Sequence, residues 1–197
     1  LARSLVLTGE QYMSDEDLIT LATELEGHPD NVAAAFYGGA TIAWLESKIN
    51  SEGESSNVGR AVSLKVDDRI KALLLVPENQ LSTAKARKLL PESISHQDAV
   101  LNSSRTALLV HALAERPDLL FTATEDLLHQ KYREEAMPKS IALVEKLRGA
   151  GLAAVVSGAG PSVMVLYSGA EDEIDQIQSV SPGFTAMKLA IAKTGVQ

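Results

Sequence analysis

Glu26, His28, Asp30 and Asn31 stand within the six residues EGHPDN, just before the apolar run VAAAFY and the pair Gly38-Gly39. At about 100° per residue along a helix ending there, Glu26 lies roughly 80° from Leu18, at the edge of an apolar stripe, while Glu24 lies about 240° away and faces water. The expectation is a Glu26 carboxylate held near the interior at the mouth of a loop. Mg2+ takes one or two such carboxylates together with substrate phosphates, so Glu26 is a candidate metal ligand. A glutamate that merely ends a helix is the plainer alternative. Turn and cap chemistry accounts for one of Asp30 or Asn31, but it does not call for His28, Asp30 and Asn31 together.

A second candidate is SGAGPS, Ser157 to Ser162. It reads GxGxxV and leads into an apolar strand, so it lacks the third glycine and the helix N-terminus of a dinucleotide fingerprint. A glycine turn between two strands and a backbone brought close to a phosphate both remain open. Thr83 and Arg87 are four apart and can share a helix face. Arg133, in HQKYREEAMP, is by itself an ordinary solvated charge. Two arginines meeting on one carboxylate would clamp a substrate, because guanidinium forks match carboxylates bidentately. His111 shares a helix face with Val100 and is expected in or near the core. His96 and His129 have no metal-ligand spacing.

These groups need elements to hold them. Ser14 with Asp17 reads as a capping box, followed by a stripe of Leu18, Leu21, Ala22 and Leu25 and a stop at Gly27. Asp30 or Asn31 can cap a short helix, NVAAAFY. Alternation through Ile42 and Trp44 predicts a strand. Residues 50–59 read as a long polar hairpin loop, and Val62, Leu64 and Val66 as one face of a second strand. A boundary falls near Asp67-Asp68. Beyond it a buried strand is expected over 70–76. Helices are expected over 82–90, 98–115, 118–130, 139–148 and 171–180. Strands are expected over 152–156 and 163–167, with a last one through Met187, Leu189 and Ile191. Apart from extra helices this is the order of a split βαβ, ferredoxin-like domain.

The 197 residues are 45% apolar, enough for a real core, and carry 18 basic against 26 acidic side chains, a net charge of −8. That balance argues against a general nucleic-acid surface. With no cysteine, disulfides, zinc–thiolate sites and cysteine nucleophiles are excluded. No apolar run approaches the roughly 18 residues of a membrane span, and no signal peptide is visible. The expectation is a cytoplasmic protein without a membrane or nucleic-acid partner.

Four segments taken in order, EGHPDNVAAAFYGG, STAKARKLLP, EDLLHQKYREEAMP and VVSGAGPSVMVL, resemble the homoserine kinase family of the GHMP kinase superfamily. The resemblance runs from about Ser14 to the last strand. It implies an α+β chain of the GHMP kinase fold: residues 1–68 as the end of a ribosomal-S5-like nucleotide-binding domain, and 69–197 as a ferredoxin-like C-terminal domain. It implies transfer of the γ-phosphoryl group of ATP to the hydroxyl of L-homoserine, a step toward threonine. Glu26 then resembles the magnesium-binding glutamate, though its spacing to Asp30 is shorter than in some members. His28, Asp30 and Asn31 resemble the homoserine pocket, with Asn31 the direct contact and Asp30 an uncommitted candidate for a general base. Thr83, Arg87 and Arg133 resemble residues around the amino acid, the arginines on its carboxylate. Gly158, Ala159 and Gly160, with Ser162, resemble the motif that packs beside the phosphate loop. That phosphate loop, a Gly-Leu-Gly-Ser-Ser-Ala-like sequence, is absent, so the expectation is a fragment that does not turn over ATP alone. A kinase for another small alcohol, a non-catalytic amino-acid-binding module and a homodimer stay open.

Overall fold

In the computed structural model the first helix begins at the capping box. The structure describes residues 13–49, 55–78, 88–169, 177 and 181–196. The chain divides into two compact units, one running to Val66 and taking in Ile191 onward, the other Asp67–Ala190. The final residues thus belong with the first unit and not with the 69–197 segment expected from the sequence.

In the first unit, α1 spans Asp15–Glu26. The Ser14 hydroxyl accepts the Asp17 N–H at 3.2 Å and the Asp17 carboxylate accepts the Ser14 N–H at 3.2 Å, satisfying two of the donors a helix start leaves orphaned. The helix ends at Gly27, whose φ of 91° is left-handed. Its buried face is Ile19 and Thr23, while Leu25 is 81% exposed. The expected leucine stripe is therefore rotated: Leu18, Leu21 and Ala22 are half-buried, and Leu25 is exposed. The second helix, α2, spans Asp30–Tyr37. Strand β1, Ala40–Ile49, pairs antiparallel with β2, Ser55–Leu64, and Ile49 faces Ser55. Residues 55–59 of the expected loop are thus strand, 50–54 lie outside the described residues, and Val66 lies beyond β2. Helix α1 packs on β2 and α2 on β1. Thr41 and Ala43 are half-buried, whereas Ile42 and Trp44, paired with Val62 and Arg60, are exposed. Gly38 has a φ of 76°, and a Cβ there would strike the backbone of Thr194. The returning segment closes this unit with the Val196 N–H on the Ala35 carbonyl at 3.1 Å.

Among the described residues the second unit has four strands: β3 Lys71–Pro77, β4 Ala153–Val156, β5 Val163–Tyr167 and β6 Phe184–Leu189. Their order is β4-β5-β3-β6 with every pair antiparallel. That is the split βαβ order expected from the sequence, with the last strand earlier than predicted. Register sets Leu73 opposite Val165 and Leu75 opposite Val163, so one face collects the large apolar groups. They pack with Leu143, Val144 and Leu147 of α5, Pro138–Gly149. Burying each such side chain contributes about 1.5–3 kcal/mol. Helix α3, His96–Ala114, is capped by Ser95, whose hydroxyl accepts the Asp98 N–H at 3.0 Å. Only Ala112 of α3 is fully buried; His111 and Val100 are exposed, which corrects the expected core histidine. The helix expected over 118–130 is broken into a 3₁₀ turn Pro117–Leu119, α4 Leu120–Ala123 and a second 3₁₀ turn Lys131–Ala136. The expected helix of 82–90 lies outside the described residues up to 87, with turn at 88–89. The helix expected over 171–180 lies outside them apart from Ile177.

Candidate functional site

The polar group before α2 is built by one carboxylate. Asp30 is the first residue of α2, and Pro29 occupies the cap position with no side-chain cap bond. Neither Asp30 nor Asn31 is therefore the cap expected from the sequence. The Asp30 Oδ1 atom instead accepts the Asn31 N–H at 2.7 Å and pairs with His28 Nδ1. A carboxylate only accepts, so this contact places the hydrogen on Nδ1 of His28. The helix start favours negative charge at this position. His28 is half-buried, while Asp30 and Asn31 are exposed. A half-buried histidine thus holds the Asp30 carboxylate, which in turn accepts the backbone N–H of Asn31. Glu26 is exposed, not held near the interior. By helical phase it shares the face of Ile19 and Thr23, which are buried. It makes no hydrogen bond or ion pair among the described residues.

Among the described residues no three or more His, Asp or Glu side chains are arranged to hold a metal ion. A lone free carboxylate does fit Mg2+, which keeps most of its shell as water and phosphate oxygens. Glu26 has the right chemistry for that role and has no competing partner among the described residues.

In the second unit the glycine loop joins β4 to β5. The Ser157 N–H donates to the Ser162 carbonyl at 2.8 Å and the Gly160 N–H to the Ser157 carbonyl at 3.0 Å. Gly158 and Gly160 have φ of 57° and 83°, values that disfavour side chains. A Cβ on Gly160 would collide with Met137. Gly158 is exposed; Ala159 and Ser162 are half-buried. The Gly158 and Ala159 N–H groups take no protein partner among the described residues.

Arg133 sits on the second 3₁₀ turn and is only 7% exposed. Its Nη1 donates to the Gly158 carbonyl at 3.1 Å, and its Nε is buried with no partner among the described residues. No carboxylate pairs with it among those residues. A buried guanidinium normally has both its charge and its hydrogens answered. Here Nη1 is bound to the loop, and Nε has no hydrogen-bond partner among the described residues.

Sequence reasoning singled out Arg133 and the loop as candidates but missed what supports them. The Asp126 carboxylate accepts the N–H groups of His129 at 3.0 Å and Gln130 at 2.6 Å, and His129 Nδ1 at 3.0 Å. Burial works against its charge, but these hydrogen bonds win and lower its pKa to about 2. Arg148 donates to the carbonyl of Phe121 at 2.8 Å, to the Thr124 hydroxyl at 3.0 Å and to the carbonyl of Ala154 at 3.3 Å. The signal for the support was present in the helical spacing of Gln130, Arg133, Met137 and Ser140. Thr83 and Arg87 lie outside the described residues.

A four-stranded antiparallel sheet of this order, with a glycine loop between its second and third strands in sequence, is the architecture of one class of small-molecule kinases. Residues 104–181 match the family described as GHMP kinases C terminal. A solved structure described as homoserine kinase from Cytophaga hutchinsonii superposes with a TM-score of 0.70 over 93% of this chain and 60% of that one. At 23% identity this likeness concerns the fold. Residues 104–181 are thus similar to the C-terminal domain of the GHMP kinases. Over most of its length the chain is a homologue of the homoserine kinases. It is 46% identical over 195 residues to that of Streptomyces coelicolor, covering 98% of this chain and 60% of the relative. It is 45% identical over 189 residues to that of Mycobacterium tuberculosis, covering 95% and 58%. The chain thus spans about 60% of the length of the curated relatives it matches.

Proposed function

We propose that this chain is part of an ATP-dependent kinase that transfers a phosphoryl group to the hydroxyl of L-homoserine, giving O-phospho-L-homoserine. The observation that carries this reading is Arg133: a buried cation with an unanswered Nε–H beside the glycine loop suits the carboxylate of an amino acid. The homology to homoserine kinases supports the same substrate.

Phosphoryl transfer needs positioning and charge neutralisation more than covalent help. Arg133, with Arg87 and Thr83, binds the amino-acid end of the substrate. Asn31 and His28 orient the hydroxyl for in-line attack, for which a small misplacement is costly. The Asp30 Oδ1 atom is committed to His28 and Asn31, so Oδ2 is the atom available to receive the hydroxyl proton if the transfer uses a base. Glu26 would hold Mg2+, which when bound neutralises phosphate charge. Gly158, Ala159, Gly160 and Ser162 support the phosphate-binding backbone.

The test is an ADP-release assay on the full-length protein with ATP, Mg2+ and a panel of small alcohols. L-Homoserine should be the preferred acceptor, with O-phospho-L-homoserine identified by mass. Preference for an acceptor without an α-carboxylate would overturn the reading.

A further inference from the structure

The glycine loop rests on one stripe of side chains. Gln130, Arg133, Met137 and Ser140 are spaced three, four and three residues apart. They meet the loop in order. Gln130 Oε1 accepts the Val156 N–H at 2.7 Å, Arg133 donates to Gly158 at 3.1 Å, Met137 lies against Gly160, and the Ser140 hydroxyl donates to the Pro161 carbonyl at 2.5 Å. Strand β4 is at the edge of its sheet, where outward backbone donors have no ladder partner. Gln130 supplies that partner at the last residue before the loop. Its own place is fixed at the root, because the Asp126 carboxylate accepts the Gln130 N–H at 2.6 Å and the His129 N–H at 3.0 Å.

We propose that Gln130 is a positioning residue for phosphoryl transfer: it pins the end of β4 so that the glycine loop starts at a fixed place beside Arg133, without touching substrate. This rests on the functional reading above. Arg133 alone fixes only the loop's carbonyl side at Gly158. Without Gln130 the preceding N–H would turn to water, and the loop could shift relative to the groups it serves.

Two variants of the full-length protein test this. Gln130→Ala removes the acceptor, and Gln130→Glu keeps an acceptor oxygen at the same reach. Amide exchange at Val156, followed by NMR without substrate, should be about tenfold faster in Gln130→Ala, the effect of losing one part-buried hydrogen bond. With ATP and L-homoserine, kcat should fall about tenfold while the homoserine KM stays within about twofold, since misplacement acts on the transfer step. Gln130→Glu should restore both. Unchanged exchange at Val156, unchanged kcat in Gln130→Ala, or a Glu variant no better than Ala would each overturn the proposal. If the wild-type protein transfers nothing to L-homoserine, the functional reading fails. The exchange measurement with its rescue then decides the positioning of the loop alone.

Discussion

At the scale of single residues, the second unit places charge where burial opposes it and answers that charge with backbone. Asp126 is half-buried, yet three hydrogen bonds from His129 and Gln130 keep its carboxylate ionised down to about pH 2. A carboxylate whose folded pKa is depressed adds stability that is fully present above its unfolded value, near 4, and is lost as pH falls through the folded value. The turn of 126–130 should therefore loosen between about pH 4 and pH 2. Protection of the His129 and Gln130 amides against exchange, taken relative to the intrinsic rate at each pH, should fall down that range in the wild type. Asp126→Asn, which cannot titrate there, should be less protected at pH 6 and should flatten the profile. A wild-type profile no steeper than that of the variant would show that Asp126 does not carry the acid sensitivity of this turn.

At the scale of elements, what was legible in the sequence was what neighbours decide. The capping box of Ser14 and Asp17 is local chemistry, and α1 starts where it says. The glycine turn between β4 and β5 is equally local, and both strands lie at or within a residue of their expected bounds. Distant partners decide the rest. A continuous helix over 118–130 satisfies the periodicity, yet the chain breaks after Ala123. Arg148, more than twenty residues on, takes the carbonyl of Phe121 and the hydroxyl of Thr124, while Asp126 draws the next N–H groups to itself. Neither capture can be read from a window around residue 124. Likewise Glu26 has the helical phase of the buried face, yet it is the last residue of α1 and stays exposed. The local cap allows a direct test. Ser14→Ala should cost about 1 kcal/mol, read as a lower urea midpoint with an unchanged slope. Adding Asp17→Ala should cost less than a second full increment, because the two groups answer each other. Full additivity would mean that the box does not act as a unit.

At the scale of the molecule, a chain of net charge −8 would, on the function proposed above, have to bind an anionic nucleotide and the carboxylate of an amino acid. Its overall field opposes both, so local cations must do the recognition. Arg133 is the described cation best placed for it, since it is buried, unpaired by any carboxylate among the described residues, and short of one acceptor. A ligand that binds the folded state alone stabilises the whole protein by mass action, by about 2.7 kcal/mol at a hundred times its Kd. Each kcal/mol at this size raises Tm by about 2–4 °C. L-Homoserine at saturating concentration should therefore raise the Tm of the full-length protein by several degrees. 3-Amino-1-propanol, which keeps the amine and hydroxyl but lacks the carboxylate, should raise it by much less. In Arg133→Lys the homoserine shift should largely vanish, because one ammonium cannot hold both the Gly158 carbonyl and a carboxylate in the geometry of a guanidinium fork. Equal stabilisation by the two compounds, or a shift in Arg133→Lys as large as in the wild type, would separate Arg133 from the carboxylate and leave it as an anchor of the glycine loop alone.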